Sequence, residues 1–334
     1  MAGTDATTAL PPLPGHVPLV AQIRSDMVES VHYGSYIVLA PDGSTLMSAG
    51  DPLALYYPRS SLKPLQAVAM VRAGLVLAPE LLALAAASHS GATRHLDGAQ
   101  EILALHSIDP VFLANQPDLP YGTAEREGWL RAGGAPTAFA QNCSGKHAAM
   151  LATCTLNGWP LRGYLDPEHP LQQRVDAVVE ELTGEPITHA STDGCGTPVH
   201  AISLAGMARA YSAIISAPAG TAEAAVADAM RAFPENVAGE GRDVTALMRA
   251  VPGLLAKDGF EGIQAVALPD GRALVLKIAD GGDRARMPAT VDLLGRLGVD
   301  SAQLARVETA PVLGGGLSVG ALVALPTPAG PSGS

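Results

Sequence analysis

Lysine is scarce in this chain: Lys63, Lys146, Lys257 and Lys277 are the only four among 21 basic residues in 334. Arginine stays protonated in proteins, whereas a buried lysine amine can shed its proton and act as a base or a ligand. The lysines kept in an arginine-rich chain are therefore enriched for sites that need such an amine. Cysteine is equally sparse, and three irregularly spaced residues make no disulfide framework. Charged residues are only 16% of the chain against 48% hydrophobic, which excludes a disordered chain. The net charge of −11 and the lack of a basic cluster exclude nucleic acid as a partner. No apolar run reaches membrane-spanning length. The start, MAGTDATTALPPLPGHVP, has no basic residues leading into an apolar stretch, so no export signal is expected. Together these absences predict a soluble, reduced, cytoplasmic protein.

Residues 1–18 and 326–334 are rich in Pro, Gly, Ala and Ser and read as disordered tails around a single domain, 19–325. Within it, SYIVLA-PDG-STLMSA (36–49) and IQAVAL-PDG-RALVLKIA (263–279) set apolar runs around Pro-Asp-Gly turns, the pattern of antiparallel hairpins. The run LSVGALVAL (317–325) is expected to join their sheet. The middle reads as helices over 62–75, 79–87, 96–107, 145–157, 170–183, 198–215 and 220–232, with another at 285–298. Strands from both chain ends around a helical middle predict an α+β fold with an antiparallel sheet.

The stretch PRSSLKPL (58–65) carries the first lysine. Proline is tolerated in the first turn of a helix, so a helix is predicted to start at Ser60–Ser61 with Pro64 inside that turn. Ser60 and Lys63 then share a face one turn apart, beside the positive end of the helix. That is the arrangement of a hydroxyl nucleophile activated by an amine. Serine at a helix start is also an ordinary cap. Further on, SHSGATRH follows an apolar helix and presents Ser88, His89 and Ser90. LLAKDGF places Lys257 at the end of an apolar run. The order S-x-x-K, S-x-S, K-D-G parallels the three motifs of penicillin-recognising serine enzymes.

Two polar islands contain cysteine: QNCSGKH, with Cys143, Lys146 and His147, and STDGCGTP, with Asp193 and Cys195. Both lie in turns that precede helices, where a thiolate is favoured. Cys143 and Cys195 are candidate soft metal ligands, with Lys146 or His147 as a third; a dithiol pair or two ordinary free cysteines are the rivals. Cys154 sits in an apolar helix and reads as packing. The glycines of VAGEGRDVT allow close backbone approach, and its Glu240 and Arg242 read equally as an ion pair. Lys277, in a strand, reads as structural.

The set PRSSLKP, ASHSG, NCSGKH, TDGCGTP and VAGEGR resembles the L-asparaginase II family, of the type known from Rhizobium etli, over about residues 20–325. The resemblance implies a serine β-lactamase/glutaminase-like fold, a homodimer, and hydrolysis of L-asparagine to L-aspartate and ammonia. It implies catalytic roles for Ser60 with Lys63 and for Ser88 with Lys257, and zinc ligation by Cys143, Lys146 and Cys195. For holding the substrate, charge sign and position suggest Arg59, Asp193 and His147. One departure stands out: the family cysteine that follows G-E-G-R is Val244 here.

Rival readings are a glutaminase, a β-lactam or D-peptide hydrolase of the same motif order, and a non-catalytic zinc- or amino-acid-binding protein. Either Ser60 or Ser88 could be the nucleophile on sequence alone.

Overall fold

A computed structural model describes residues 12–307 and 311–327. The strands are β1 (Val17–Arg24), β2 (Met27–Leu39), β3 (Thr45–Ala49), β4 (Leu55–Tyr56), β5 (Ala190–Thr192), β6 (Pro198–His200), β7 (Ile202–Ser203), β8 (Leu255–Gly259), β9 (Ile263–Ala267), β10 (Ala273–Ile278), β11 (Val312–Gly314) and β12 (Leu317–Ala324). Eight of them form one antiparallel sheet in the order β11-β12-β1-β2-β10-β9-β8, with β3 attached to β2. The fold is α+β, and both chain ends build the sheet as expected. β2 is long enough to serve three partners: its first part pairs with β1, and its last residues pair with β3 and β10.

Both Pro-Asp-Gly hairpins form, as β2–β3 and β9–β10, and Leu317–Ala324 joins the sheet. β9 and β10 carry almost no polar alternation and are buried nearly throughout. Unbroken burial means cover on both faces. The helix Leu204–Ser216 packs on β2, β9 and β10, and the helix Arg286–Arg296 on β9, β10, β1 and β12. β1, β8 and β11 were not anticipated, although turn residues flank them: Ser25-Asp26 after β1, Pro252-Gly253 before β8 and Gly315-Gly316 after β11. Nor were the helices Thr123–Arg131 and Asp243–Ala250. The predicted helix 198–215 begins at Leu204, because Pro198–Ser203 is spent on β6 and β7, and Ser203 caps the helix through the Gly206 amide.

The expected N-terminal tail reaches only part of the way to position 18: β1 starts at Val17, and the His16 ring lies 2.9 Å from Ser35 Oγ. Near the other end, the Tyr36 hydroxyl meets Thr327 Oγ1 at 2.7 Å. Residues 1–11 and 328–334 of the two expected tails lie outside the described residues. Among the described residues, no helix is long and apolar enough to cross a membrane.

Helices of the middle segment pack closely enough to exclude side chains at chosen points. At Gly145 a Cβ would lie 2.7 Å from the Leu84 carbonyl oxygen. The helix Ser144–Asn157 is thus seated on Pro79–Ala85 by the absence of a side chain, and Cys143 is held at its start. Gly145→Ala should destabilise the protein by roughly 1–3 kcal/mol, since a backbone atom must move. Urea unfolding of the variant beside the parent checks this.

Candidate active site

Arg59–Leu62 is a single 3₁₀ turn that runs into the α-helix Lys63–Arg72. Pro64 occupies the first turn of that helix, where its missing N–H is harmless. Arg59 has φ +53°, a left-handed conformation uncommon for a side chain this large. Its guanidinium offsets the strain by donating from Nε to Asp193 Oδ1 at 2.7 Å and by stacking on Phe260. Arg59 and Asp193, two of the expected substrate-holding residues, are therefore each other's partners. Gly259 allows β8 to press against this turn, because any Cβ there would collide with the Pro58 carbonyl oxygen.

Lys63 is 1% exposed, and its amine donates to Ala87 O at 2.5 Å, Ser88 Oγ at 2.9 Å and Cys143 Sγ at 2.9 Å. Ser60 Oγ is not among its partners. The expected direct Ser60–Lys63 contact is replaced by Lys63–Ser88, because the 3₁₀ turn ends at Lys63 and sends its side chain inward to the end of the helix Pro79–Ala85. Ser60 instead lines a small pocket of about 90 Å³ together with Ser88, Tyr121, Asn142, Asp258, Phe260 and Asp283. The Ser61 amide is occupied by Pro58 O at 3.1 Å.

Backbone hydrogen bonds hold Ser88 and its neighbours in place. The Ser88 amide donates to Val237 O at 2.9 Å, His89 to Asn142 O at 3.0 Å and Ser90 to Ala238 O at 2.7 Å. The V-A-G-E-G-R loop and the cysteine loop thus flank the S-x-S segment. Gly239 lies so close to Ser90 that a Cβ would stand 2.7 Å from the serine Cβ. Close approach is the use of that glycine, as the sequence suggested.

Lys257 is fully buried. Side chains of adjacent strand residues ordinarily point to opposite faces. Lys257 instead curls toward its neighbour and bonds both Asp258 O at 2.9 Å and Asp258 Oδ1 at 2.5 Å. Burial is the largest influence on Lys257 and lowers its pKa from 10.5 to about 8, against the opposing pull of Asp258. Asp258 is held well below the usual carboxylate range: Lys257 and Arg242 outweigh the cost of its burial. The expected Ser88–Lys257 pair is not in hydrogen-bond contact among the described residues. Lys277, as expected, is structural, donating to Glu261 O and Ile278 O at 2.6 Å each.

Behind Ser88 lie the two thiols. Cys143 Sγ contacts Asn142 Oδ1 at 3.0 Å as well as Lys63. Lys146 Nζ donates to Cys195 Sγ at 3.2 Å and to Thr197 Oγ1 at 2.8 Å. The nearness of the two cysteines, with Lys146 beside Cys195, pushes the Cys195 thiol well down and that of Cys143 well up. Burial opposes a charge on Lys146, but Cys195 and Cys143 outweigh it and raise its pKa.

His147, expected to touch substrate, is buried behind this group, with Nδ1 2.7 Å from the Tyr164 hydroxyl and Nε2 unpartnered. Burial lowers its pKa to about 4. Cys154 is packing, its pKa raised to about 12 by burial. Val244 is fully buried in the helix Asp243–Ala250, so the family cysteine is replaced here by core.

Among the described residues, no group of three or more His, Cys, Asp and Glu side chains is placed to hold a metal ion. A set that includes an amine falls outside that description, and Cys143, Lys146 and Cys195 do converge. At ordinary zinc–ligand lengths, tetrahedral neighbours stand ~3.6 Å apart. The Lys146–Cys195 separation of 3.2 Å is close to that. The three residues fit a soft divalent ion on donor chemistry.

Sequence reasoning missed Tyr121, Asn142, Phe260 and Asp283 on the pocket wall. Asn142 stood inside a quoted motif, while Tyr121, in the stretch LPYGT, carried no signal at all.

A buried amine bonded to a serine hydroxyl beside a small pocket is compatible with a hydrolase. The chain belongs to the L-asparaginase II family, whose profile matches residues 20–324, and is an asparaginase-type amidohydrolase. No curated protein matches it. Among solved structures it is similar to a β-lactamase from Mycobacterium bovis, at 16% identity over 75% of this chain and 88% of that one, with a TM-score of 0.42. It is also similar to EstCE1, described as a hydrolase with promiscuous acyltransferase activity, at 15% identity over 74% and 88% of the two chains and a TM-score of 0.40.

The Arg59–Asp193 pair is partly buried, at 25% and 12% side-chain exposure. A double-mutant cycle of Arg59→Ala and Asp193→Ala, read by urea unfolding, should give a coupling of about 1 kcal/mol.

Proposed function

We propose that the protein hydrolyses the side-chain amide of L-asparagine through an acyl-enzyme. The observation that carries this reading is the Lys63 amine 2.9 Å from Ser88 Oγ, in the wall of a pocket that Ser60 also lines. Ser88 is 4% exposed, whereas Ser60 is half-buried and more open to a ligand. Ser60 is therefore the nucleophile and Ser88 the relay. Ser60 Oγ attacks the amide carbon while its proton passes to Ser88 and that of Ser88 to Lys63. The carbon–nitrogen bond then breaks, the nitrogen takes a proton back from Lys63, and ammonia leaves a β-aspartyl ester on Ser60. Lys257 takes the proton of the water that cleaves this ester and returns it to Ser60 Oγ as the ester bond breaks. L-aspartate and free Ser60 result.

Asp258, Glu261 and Asp283 line the pocket; Asp258 is paired with Lys257 and Arg242, and Asp283 with Arg286. Glu261 is the acidic residue left to favour a ligand carrying an ammonium group, as an amino acid does. Arg59, stacked on Phe260 of the pocket wall, and its partner Asp193 are assigned to the α-carboxylate and α-ammonium groups, which requires the pair to open for the substrate; His147, held by Tyr164, is assigned an indirect role. Zinc, held by Cys143, Lys146 and Cys195, would supply a positive charge that polarises or anchors the substrate. Family membership also supports reading the protein as a cytoplasmic homodimer.

A second reading has Ser88 itself as nucleophile, favoured by its direct contact with Lys63. Ammonia release from asparagine and glutamine, with intact-mass detection of the acyl-enzyme, separates the two. Ser60→Ala should abolish both turnover and adduct, lowering kcat by ~10³-fold or more; an adduct that survives in Ser60→Ala and vanishes in Ser88→Ala establishes the second reading. Ammonia from neither amide would defeat both. Metal analysis of the same samples should find about one zinc per chain, lost in Cys195→Ser.

The base role of Lys257 requires the neutral amine. Its pKa of about 8 means that it is mostly charged below that pH, so kcat/KM should rise about tenfold per pH unit up to it and level off above. Lys257→Met should remove this ascending limb from the pH–rate profile.

A further inference from the structure

We propose that Arg242 is a positioning residue that, through the Asp258 carboxylate, holds the Lys257 amine, so that the three side chains act as one buried charge chain at the pocket wall. The inference rests on the base role given to Lys257 above and adds what controls that lysine.

The geometry is continuous. Asp258 spends one carboxylate oxygen on each cation: Oδ1 accepts from Lys257 Nζ at 2.5 Å, and Oδ2 accepts from Arg242 Nη2 at 2.9 Å. The Arg242 guanidinium stacks over the Tyr121 ring at 4.7 Å, and Tyr121 and Asp258 both line the pocket. Its other terminal nitrogen, Nη1, is buried and has no hydrogen-bond partner. A purely structural arginine would use both ends. The loop that delivers it is built for close approach, with Gly239 and Gly241 both at positive φ.

The charged and titratable groups around Lys257 come from several elements. Asp258 is on its own strand, Lys63 on the helix Lys63–Arg72, and Arg242 on the glycine loop. Beyond Asp258 stand Arg286, Tyr211 and Tyr121. Two cations, Lys63 and Arg242, disfavour a proton on Lys257, and one anion, Asp258, favours it. Arg242 acts twice: its own charge opposes the ammonium, and its hydrogen bond occupies half of the carboxylate that would otherwise stabilise it. Removing Arg242 must therefore make Lys257 a stronger base that loses its proton later. Removing the charge of Asp258 must do the reverse.

The scarcity of lysine makes this directly measurable. Full-length protein labelled with ¹³C and ¹⁵N lysine gives only four side-chain signals, and the one missing in Lys257→Met belongs to Lys257. In the parent it should titrate near pH 8. In Arg242→Gln it should move up by about one pH unit, and in Asp258→Asn down by a similar amount, the size expected of one neighbouring charge. Arg242→Lys, which keeps the charge, should stay near the parent value. That variant guards against mistaking a general packing defect for the effect. A Lys257 signal that titrates near the ordinary lysine value, or that stays put in both charge-removing variants, overturns the inference. The ascending limb of kcat/KM should follow the signal in each variant. If the signal moves as stated and the limb does not, the charge chain stands and the base role of Lys257 falls.

Discussion

The Lys63 amine joins three parts of the chain that have no sequence relation to one another. Its three hydrogen bonds reach the end of the helix Pro79–Ala85, the serine that follows it, and the cysteine at the start of the helix Ser144–Asn157. A buried ammonium or amine costs several kcal/mol unless every donor is used. Here the nitrogen has a carbonyl, a hydroxyl and a thiol as partners. The site therefore exists only where the core is correctly assembled around this one nitrogen. Gly145, which lets those helices meet, and Gly259, which lets β8 meet the Ser60 turn, are part of that same constraint.

Two buried amines contact residues of the pocket wall, Lys63 at Ser88 and Lys257 at Asp258, and they differ in company. Lys63 faces a carbonyl, a hydroxyl and a thiol. Lys257 faces a carboxylate that an arginine already holds. Behind them Lys146 donates to Cys195, and Cys143, a partner of Lys63, lies close by.

Much of this was legible in the residues. Four lysines in an arginine-rich chain pointed to Lys63, Lys146 and Lys257, and all three proved to be buried beside serine, cysteine or aspartate. Pro64 placed the start of a helix correctly, since a missing N–H is tolerated in only one turn. The paired Pro-Asp-Gly turns located both hairpins. Strands β1 and β8 were not anticipated although each pairs with the strand that follows it: β8 carries two charged residues in five, and β1 takes its second partner, β12, from the other chain end.

What the sequence by itself determined was the set of candidate side chains and the order of sheet and helices around them, because residue type and local periodicity are properties of short segments. What only the tertiary structure decided was the pairing. Ser60 and Lys63 sit one turn apart in the chain, yet a 3₁₀ turn and a left-handed Arg59 send the lysine to Ser88. Arg59 and Asp193, 134 residues apart, neutralise each other, and Lys257 turns to its neighbour and not to a serine. Hydrogen-bond partners are chosen by whatever acceptor the packed core brings within 3 Å, and no local pattern encodes that choice.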